Sequence, residues 1–293
     1  MLFTMKKIFI IYALLIIAYL HAITLTRLSS IGTDSGTLLE ETTTGANLGL
    51  GMNISAVNDN IYSSGSNPAT IAGFSKAYDI FVSGMYGPRS GITVGIVDSY
   101  IAPVSASIII TRLLPITNAL TAVSVGTAGM IGNYFAYGLQ GNYFSAHYNG
   151  NEKSFLTLTP GVFTKFSFVA FGFSILNGIQ IRNSDILPRK LIFGGTFDNN
   201  IFLATGEIRI PHNDYRNIEY GIGTRLNIKN LFLPKIGAKI QQQGNSKSGL
   251  KLFTGVDVIL QMSTVVPSLM YDFNKDELLV AMMYHICILG TNK

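Results

Sequence analysis

The sequence has no tryptophan, a single cysteine and few charged residues. Only 13% of its 293 residues are Asp, Glu, Lys or Arg, against about 25% in a typical soluble domain. Because Cys287 stands alone, no intramolecular disulfide can stabilise the fold. The formal charge of +5 includes no basic run, so nothing indicates a nucleic-acid partner. These absences favour a chain that contacts lipid over an ordinary soluble domain.

Long apolar runs are also missing from the body of the chain. A membrane-spanning helix needs about 18 to 20 apolar residues. The nearest candidate, "YIAPVSASIIITRLLPI" from Tyr100, is interrupted by Pro103, Arg112 and Pro115. Nevertheless, 48% of all residues are hydrophobic. The apolar residues are therefore distributed over short segments, which argues against a helical membrane protein.

The one compact apolar run lies at the N-terminus. Lys6 and Lys7 precede "IFIIYALLIIAYL", the 13 residues 8–20, and Ala22 follows. A positive start, an apolar stretch too short for a spanning anchor and a small residue behind it are typical of a secretory signal peptide. We predict that residues 1–22 are a signal that is cleaved on export.

Segments of the C-terminal third alternate apolar and polar residues with the period of a β-strand. The pattern is visible in "IFLATGEIRI", "NIEYGIGTRL", "IGAKIQ" and "GVDVILQ", with Ile259 as an exception. Turn-forming clusters separate these segments, mostly at intervals of 14 to 17 residues. The polar faces carry six charged residues, Glu207, Arg209, Glu219, Arg225, Lys239 and Asp257. A strand of about 10 residues plus a turn, as this spacing allows, crosses a bilayer when tilted.

The alternation fits two architectures with opposite orientations. A soluble sandwich turns its apolar faces inward, whereas a membrane barrel turns them toward lipid. The signal peptide, the scarce charge and the strand length favour the barrel, which must close because open sheet edges are unsatisfied in hydrocarbon. We predict an all-β fold, a transmembrane antiparallel β-barrel of roughly 12 to 14 strands over residues 79–293. Its six charges would pair as a network in the lumen, because buried unpaired charges are unfavourable.

The stretch "GLGMNISAVNDNIYSSGSNPATIAGF" (residues 49–74) is glycine-rich without being a phosphate-binding loop. It lacks a final Gly-Lys-Ser/Thr, and its glycines do not follow the dinucleotide-binding spacing. Asn58 and Asp59 can hydrogen-bond their own backbone in place of water. The proline in Asn67–Pro68–Ala69 enforces a sharp turn. We predict that residues 23–78 form a leader and a plug inside the barrel lumen.

This stretch resembles the N-terminal signature of the PorV/PorQ-like family and of FadL-like outer-membrane barrels. That signature combines a Gly-rich segment, an A-x-x-D-D element and an N-P-A-G-L-A turn. The matching residues are Gly49, Gly51, Ala56, Asn58, Asp59, Asn67, Pro68, Ala69, Ile71 and Ala72. A second similarity to PorV-like chains runs from Leu187 to about Ile286 and includes Pro211, Glu219 and Lys239. The resemblance implies a PorV/PorQ-like barrel of the FadL-like superfamily, located in the outer membrane and in contact with its lipid.

The resemblance leaves two functions open. A FadL-like barrel would pass hydrophobic or amphipathic small molecules across the outer membrane past an N-terminal hatch. A PorV-like barrel would instead be a non-enzymatic scaffold that docks exported proteins for secretion or surface attachment. A continuous apolar tunnel past the hatch would favour the first, and a sealed lumen with a large extracellular apolar patch the second.

No enzymatic, cofactor or metal site is expected from the sequence. A hydrolase needs a nucleophile beside a base, and His147, His212 and His285 lie in no motif that supplies one. His285 and Cys287 share one strand face but have no further ligand nearby in sequence. We interpret Cys287 as a small apolar strand residue.

Overall fold

The described part of the chain is almost entirely β-strand, as seen in a computed structural model. It comprises residues 50, 53–57, 64–72, 77–87, 90–99, 104–114, 120–148, 151–181, 187, 189–199, 201–212, 216–242, 249–261 and 263–289. The only helix of the described residues is a 3₁₀ turn, Pro68–Ile71. Within these ranges, no helix has the length and apolar character required to span a bilayer.

Fifteen strands are formed by the described residues. They are β1 (Ala77–Tyr86), β2 (Ser90–Asp98), β3 (Val104–Leu114), β4 (Leu120–Ile131), β5 (Phe135–Tyr148), β6 (Asn151–Phe166), β7 (Val169–Leu176), β8 (Ile179–Gln180), β9 (Lys190–Asp198), β10 (Phe202–Pro211), β11 (Glu219–Leu226), β12 (Phe232–Gln241), β13 (Gly249–Leu260), β14 (Ser263–Asp272) and β15 (Glu277–Leu289). Apart from the two-residue β8, they follow one another around a single sheet.

The sheet closes on itself through the first and last strands. β1 pairs antiparallel with β15 over its whole length, from Ala77 opposite Leu289 to Tyr86 opposite Val280. We call this pairing the seam, and the end of the barrel at which β1 begins and β15 ends the terminal end. The described strands thus form a closed antiparallel barrel of 14 strands. This confirms the predicted fold class. Closure gives hydrogen-bond partners to the backbone N–H and C=O groups at the sheet edges, which hydrocarbon could not provide.

The two faces of the wall are the ones that the alternation predicts. On β10, Glu207 and Arg209 point inward and are buried, while Ile208 between them is exposed on the outer face. On β11, Tyr220 and Ile222 are exposed on the outer face. The outer face carries a broad belt of exposed large hydrophobic residues over many strands. Such a belt is what a barrel presents to lipid.

The alternation fails in two places for physical reasons. Residues 119–132 contain no clear period because β4 is apolar on both faces, with Ala122 and Ala128 buried inside and Val125 exposed outside. The pattern slips near Val169 because Ser167 and Phe168 form the turn between β6 and β7. Ser167 has a positive φ of 51°, which a tight turn requires.

The wall is interrupted where β7 gives way to β8. Asn177 has a φ of 51° and interrupts the ladder along β6. Two hydroxyl groups of β6 hold it: Thr157 Oγ1 donates to Asn177 Oδ1 at 2.8 Å, and Asn177 N donates to Thr159 Oγ1 at 3.1 Å. The side-chain bonds thereby replace ladder bonds that the break removes.

Candidate functional site

The described part of the N-terminal segment lies inside the barrel. We define the plug segment as Leu50 together with residues 53–57 and 64–72; every one of these residues except Gly65 is buried. Its 3₁₀ turn packs against β4, β5 and β6. Of the predicted plug residues, Asn67, Pro68 and Ala69 belong to this segment. Asn58 and Asp59 lie outside the described residues.

Asn67 fastens the plug segment to itself and to the wall. Its backbone is extended, at φ −145°, as expected for a residue before proline. Its side-chain Oδ1 accepts a bond from Ala69 N at 3.1 Å and thereby caps the 3₁₀ turn. Its Nδ2 donates to Ser55 O at 2.8 Å and to Val162 O on β6 at 2.9 Å. One buried amide therefore connects two parts of the plug segment and the barrel.

We expect Asn67→Ala to loosen the plug segment. The change removes a cap, worth about 0.5–2 kcal/mol, and leaves the buried carbonyl of Ser55 without this donor, at about 1–3 kcal/mol. Hydrogen–deuterium exchange of peptides covering residues 64–72 should accelerate at least tenfold.

The matched control is Asn199→Ala, which removes an asparagine whose Oδ1 accepts bonds from Ile201 N and Phe202 N in a turn between strands. That variant should leave exchange over residues 64–72 unchanged. Equal exchange in the two variants would contradict the anchoring role of Asn67.

A row of inward-facing glycines provides the space into which the plug segment fits. We call Gly138, Gly161, Gly172, Gly194 and Gly221 the glycine row. A β-carbon at Gly138 would lie 2.5 Å from Ala69 N, and one at Gly172 would collide with Ser55 O. Register links the row across the wall, with Gly138 opposite Gly161 and Gly172 opposite Gly194. Strand glycines mark a close approach of another backbone, and here that backbone is the plug segment.

Glu207 occupies the middle of this gap and binds the plug backbone. It stands in register between Gly194 and Gly221, so its carboxylate has glycine on both sides. Its Oε2 accepts bonds from Ile54 N at 3.1 Å and Ser55 N at 2.8 Å. Two amide donors that have no strand partner are therefore satisfied by one buried carboxylate.

Glu207 is also part of a buried ionic network on the same side of the lumen. Arg209 Nε lies 2.5 Å from Glu207 Oε1 and stands opposite Glu219 in the strand register. Glu219 pairs with Lys190 Nζ at 2.9 Å and with Lys239. All five side chains are buried. Close pairing offsets the desolvation penalty of burying these charges away from bulk water.

The other two charges that the sequence singled out lie elsewhere. Asp257 is paired with Lys235 on the neighbouring strand, with Lys235 Nζ 2.6 Å from Asp257 Oδ1. Arg225 is only partly buried. It lines a polar cavity of about 370 Å³ between the ends of β6, β9, β10 and β11. The structure thus groups Glu207, Arg209, Glu219 and Lys239, and separates Asp257 and Arg225 from them.

The opposite side of the lumen contains a buried apolar cluster. Ala69, Ile71 and Ala72 of the plug segment pack into a buried cluster with wall residues. The wall contributes Phe81, Val97, Ile109, Ala128, Ala136, Phe163, Ala170, Val266 and Met283. The plug segment therefore contacts both this apolar cluster, to which β1–β7, β14 and β15 contribute, and the ionic network of β9–β12.

On the outer face, an apolar groove of about 670 Å³ lies behind the glycine row. Its floor includes Gly195 and Gly206, which face each other across β9 and β10. Exposed rings and aliphatic chains such as Phe171 and Ile222, which are 54% and 67% exposed, form its sides. Inward and outward glycines alternate here, so the wall between this groove and the plug segment is little more than backbone.

Sequence reasoning missed the glycine row and the partner lysines Lys190 and Lys235. A signal for the row was present, because inward-facing positions of several successive strands are glycine where a side chain would be expected. No signal existed for Lys190, whose partner Glu219 lies two strands away, because the pairing depends on how side chains reach across β10.

The described residues form a closed antiparallel barrel with part of the N-terminal segment inside its lumen, and solved structures of hydrocarbon transporters and of a FadL homologue share this fold. The solved structure of the CymD monoaromatic hydrocarbon channel superimposes with a TM-score of 0.68 at 10% identity, covering 85% of this chain and 98% of that chain. The Ralstonia pickettii toluene transporter TbuX gives 0.61 at 9% identity, covering 83% and 97%. A Pseudomonas aeruginosa FadL homologue gives 0.56 at 9% identity, covering 84% and 97%.

Sequence comparison adds no closer relative. No protein-family model matches the chain, and no curated protein matches it. The structural likeness therefore identifies the fold, while the resemblance to the PorV/PorQ-like family stays a prediction.

Proposed function

We propose that this protein is a non-enzymatic outer-membrane channel for hydrophobic or amphipathic small molecules, with the plug segment as its hatch. The observation that carries the proposal is how the plug segment is held. It lies buried inside the lumen, yet its contacts with the wall include side-chain hydrogen bonds and close packing on glycine. None of the described plug residues pairs as a strand with the wall. The plug segment can therefore move without opening the barrel.

The apolar cluster beside the plug segment supports a hydrophobic solute. Displacing Ala69, Ile71 and Ala72 would uncover a surface formed by side chains such as Phe81 and Phe163. An apolar surface of this kind favours transfer of an apolar molecule from water. Among the proteins with the same fold are a monoaromatic hydrocarbon channel and a toluene transporter.

Removing residues 46–74 tests the hatch. The full-length protein and the deletion variant would be folded in detergent and reconstituted in liposomes at equal density. We expect the deletion to increase the uptake of a small aromatic hydrocarbon and also of small hydrophilic solutes, because the lumen loses its filling. Uptake by empty liposomes sets the baseline, and heat-modifiable gel mobility shows that both barrels are folded.

Equal uptake by the two proteins would count against the hatch. The scaffold function, with exported proteins as partners, would then be the better explanation. Export by a cleaved signal is a separate part of the proposal, and the N-terminal sequence of the protein recovered from outer membranes tests it. A mature chain that begins near residue 23 is the expected result.

A further inference from the structure

Three potential metal ligands meet at the seam. Asp79 on β1 stands opposite Cys287 on β15, and His285 lies two residues before Cys287 on the same inward face. His285 Nε2 is 2.9 Å from Asp79 Oδ1. One ligand atom from each residue, a carboxylate oxygen, a ring nitrogen and the sulfur, lies within 4.8 Å of the other two.

We propose that Asp79, His285 and Cys287 bind a divalent cation of the zinc class. Zinc is bound by Cys sulfur at about 2.3 Å, His nitrogen at about 2.0–2.1 Å and carboxylate oxygen at about 2.0–2.2 Å. In a tetrahedral site, such bonds place the ligand atoms roughly 3.5 Å apart. The three ligand atoms of the present cluster lie within 4.8 Å of one another, so binding requires them to move closer together. Three protein ligands leave a fourth position for water.

The ligand set selects the metal. Thiolate and imidazole suit zinc and its neighbours among the transition metals, whereas magnesium and calcium prefer oxygen ligands alone. A site with one sulfur, one nitrogen and one oxygen ligand therefore discriminates against the two most abundant divalent cations.

The imidazole of His285 provides an independent indication that a cation binds here. Its Nδ1 atom is buried and has no hydrogen-bond partner among the described residues. Buried ring nitrogens are normally satisfied, and an unsatisfied one requires an explanation. A single cation can bind only one of the two ring nitrogens, and binding at Nδ1 would satisfy the atom that has no partner among the described residues.

The site is separate from the hatch. Asp79 and His285 are on the two strands of the seam and close to the terminal end, whereas the ionic network belongs to β9–β12. The two residues are 206 positions apart in the chain, and only barrel closure brings them together. A metal bound across the seam would therefore join the first and last strands through side chains in addition to the backbone ladder.

Cobalt titration of the folded, untagged full-length protein tests the proposal. Because the chain has one cysteine, a thiolate-to-cobalt absorption band can come only from Cys287. We expect the band to saturate at one cobalt per barrel, to disappear on adding zinc and to resist a large excess of magnesium. Cys287→Ser should abolish the band, and His285→Gln and Asp79→Asn should each weaken cobalt affinity by 10-fold or more.

The control variant is His212→Gln, which changes a histidine outside the cluster and should leave the titration unchanged. Gel mobility before and after heating verifies that each variant has folded. If the wild-type protein gives no band, or if His285→Gln titrates like the wild type, Asp79 and His285 form a hydrogen-bonded pair only and the metal site is refuted. Zinc competition against a coloured chelator measures stoichiometry independently of the absorption band.

Discussion

Replacing Gly172 by valine should release the plug segment from the wall while the barrel stays closed. A β-carbon at this position would collide with the backbone oxygen of Ser55, which cannot rotate away as a side chain would. Overpacking of this kind is unfavourable by about 1–3 kcal/mol. Because the plug segment has no strand pairing to lose, displacement of the plug is the easiest way to relieve the collision. A destabilisation of that size raises the released fraction roughly 5- to 150-fold.

The matched control is Gly206→Val on β10. Nothing lies closer than 3.9 Å to a β-carbon at Gly206, on the outer face of the wall. Hydrogen–deuterium exchange over residues 53–57 should therefore accelerate in Gly172→Val and stay unchanged in Gly206→Val. Conductance in planar bilayers should rise only in Gly172→Val. If both variants protect the plug segment equally, the glycine row does not determine its docking.

Removing the carboxylate of Glu207 should have an even larger effect. Glu207→Ala takes the acceptor from Ile54 N and Ser55 N and leaves Arg209 without this partner. Breaking a buried ion pair by truncating one member destabilises by about 3–5 kcal/mol, and each orphaned backbone donor adds about 1–3 kcal/mol. We expect the plug segment to be released in most molecules, with fast exchange over residues 53–57 and a constantly open channel.

Asp272→Ala is the matched control for this prediction. Asp272 is also buried, accepts bonds from Asn274 N and Lys275 N, and pairs with Lys251 at 3.5 Å. Its loss should lower the temperature at which the barrel unfolds without exposing the plug segment. An equally protected plug segment in Glu207→Ala and Asp272→Ala would contradict the anchoring role assigned to Glu207.

The sequence predicts the strands of the barrel better than it predicts the contacts inside the lumen. β10 to β13 are predictable because one face meets hydrocarbon and the other the interior, and the side-chain period follows directly. The alternation does not predict β4, because the inner face of β4 packs against the plug segment and is as apolar as its outer face. Amphipathic alternation therefore reports a strand only where the interior is polar.

The arrangement of side chains inside the lumen depends on contacts between distant parts of the chain. The turn at Asn67 and Pro68 is encoded locally, because proline restricts the residue before it. The bonds from Glu207 to Ile54 and Ser55 span more than 150 positions. Nothing in the local pattern indicates that Glu207 on β10 binds the plug segment in addition to Arg209. The same holds for Asp79 and His285, which become neighbours only when the sheet closes.

The seam also constrains how this molecule can be built. Until β1 meets β15, the sheet has two bare edges that hydrocarbon cannot tolerate, so entry into the bilayer and ring formation must coincide. The plug segment directly precedes β1 and lies deep inside. A curling sheet can wrap around it as the ring forms, whereas a finished cylinder would have to be threaded afterwards. Assembly is therefore simplest if the plug segment is in place before β15 pairs with β1.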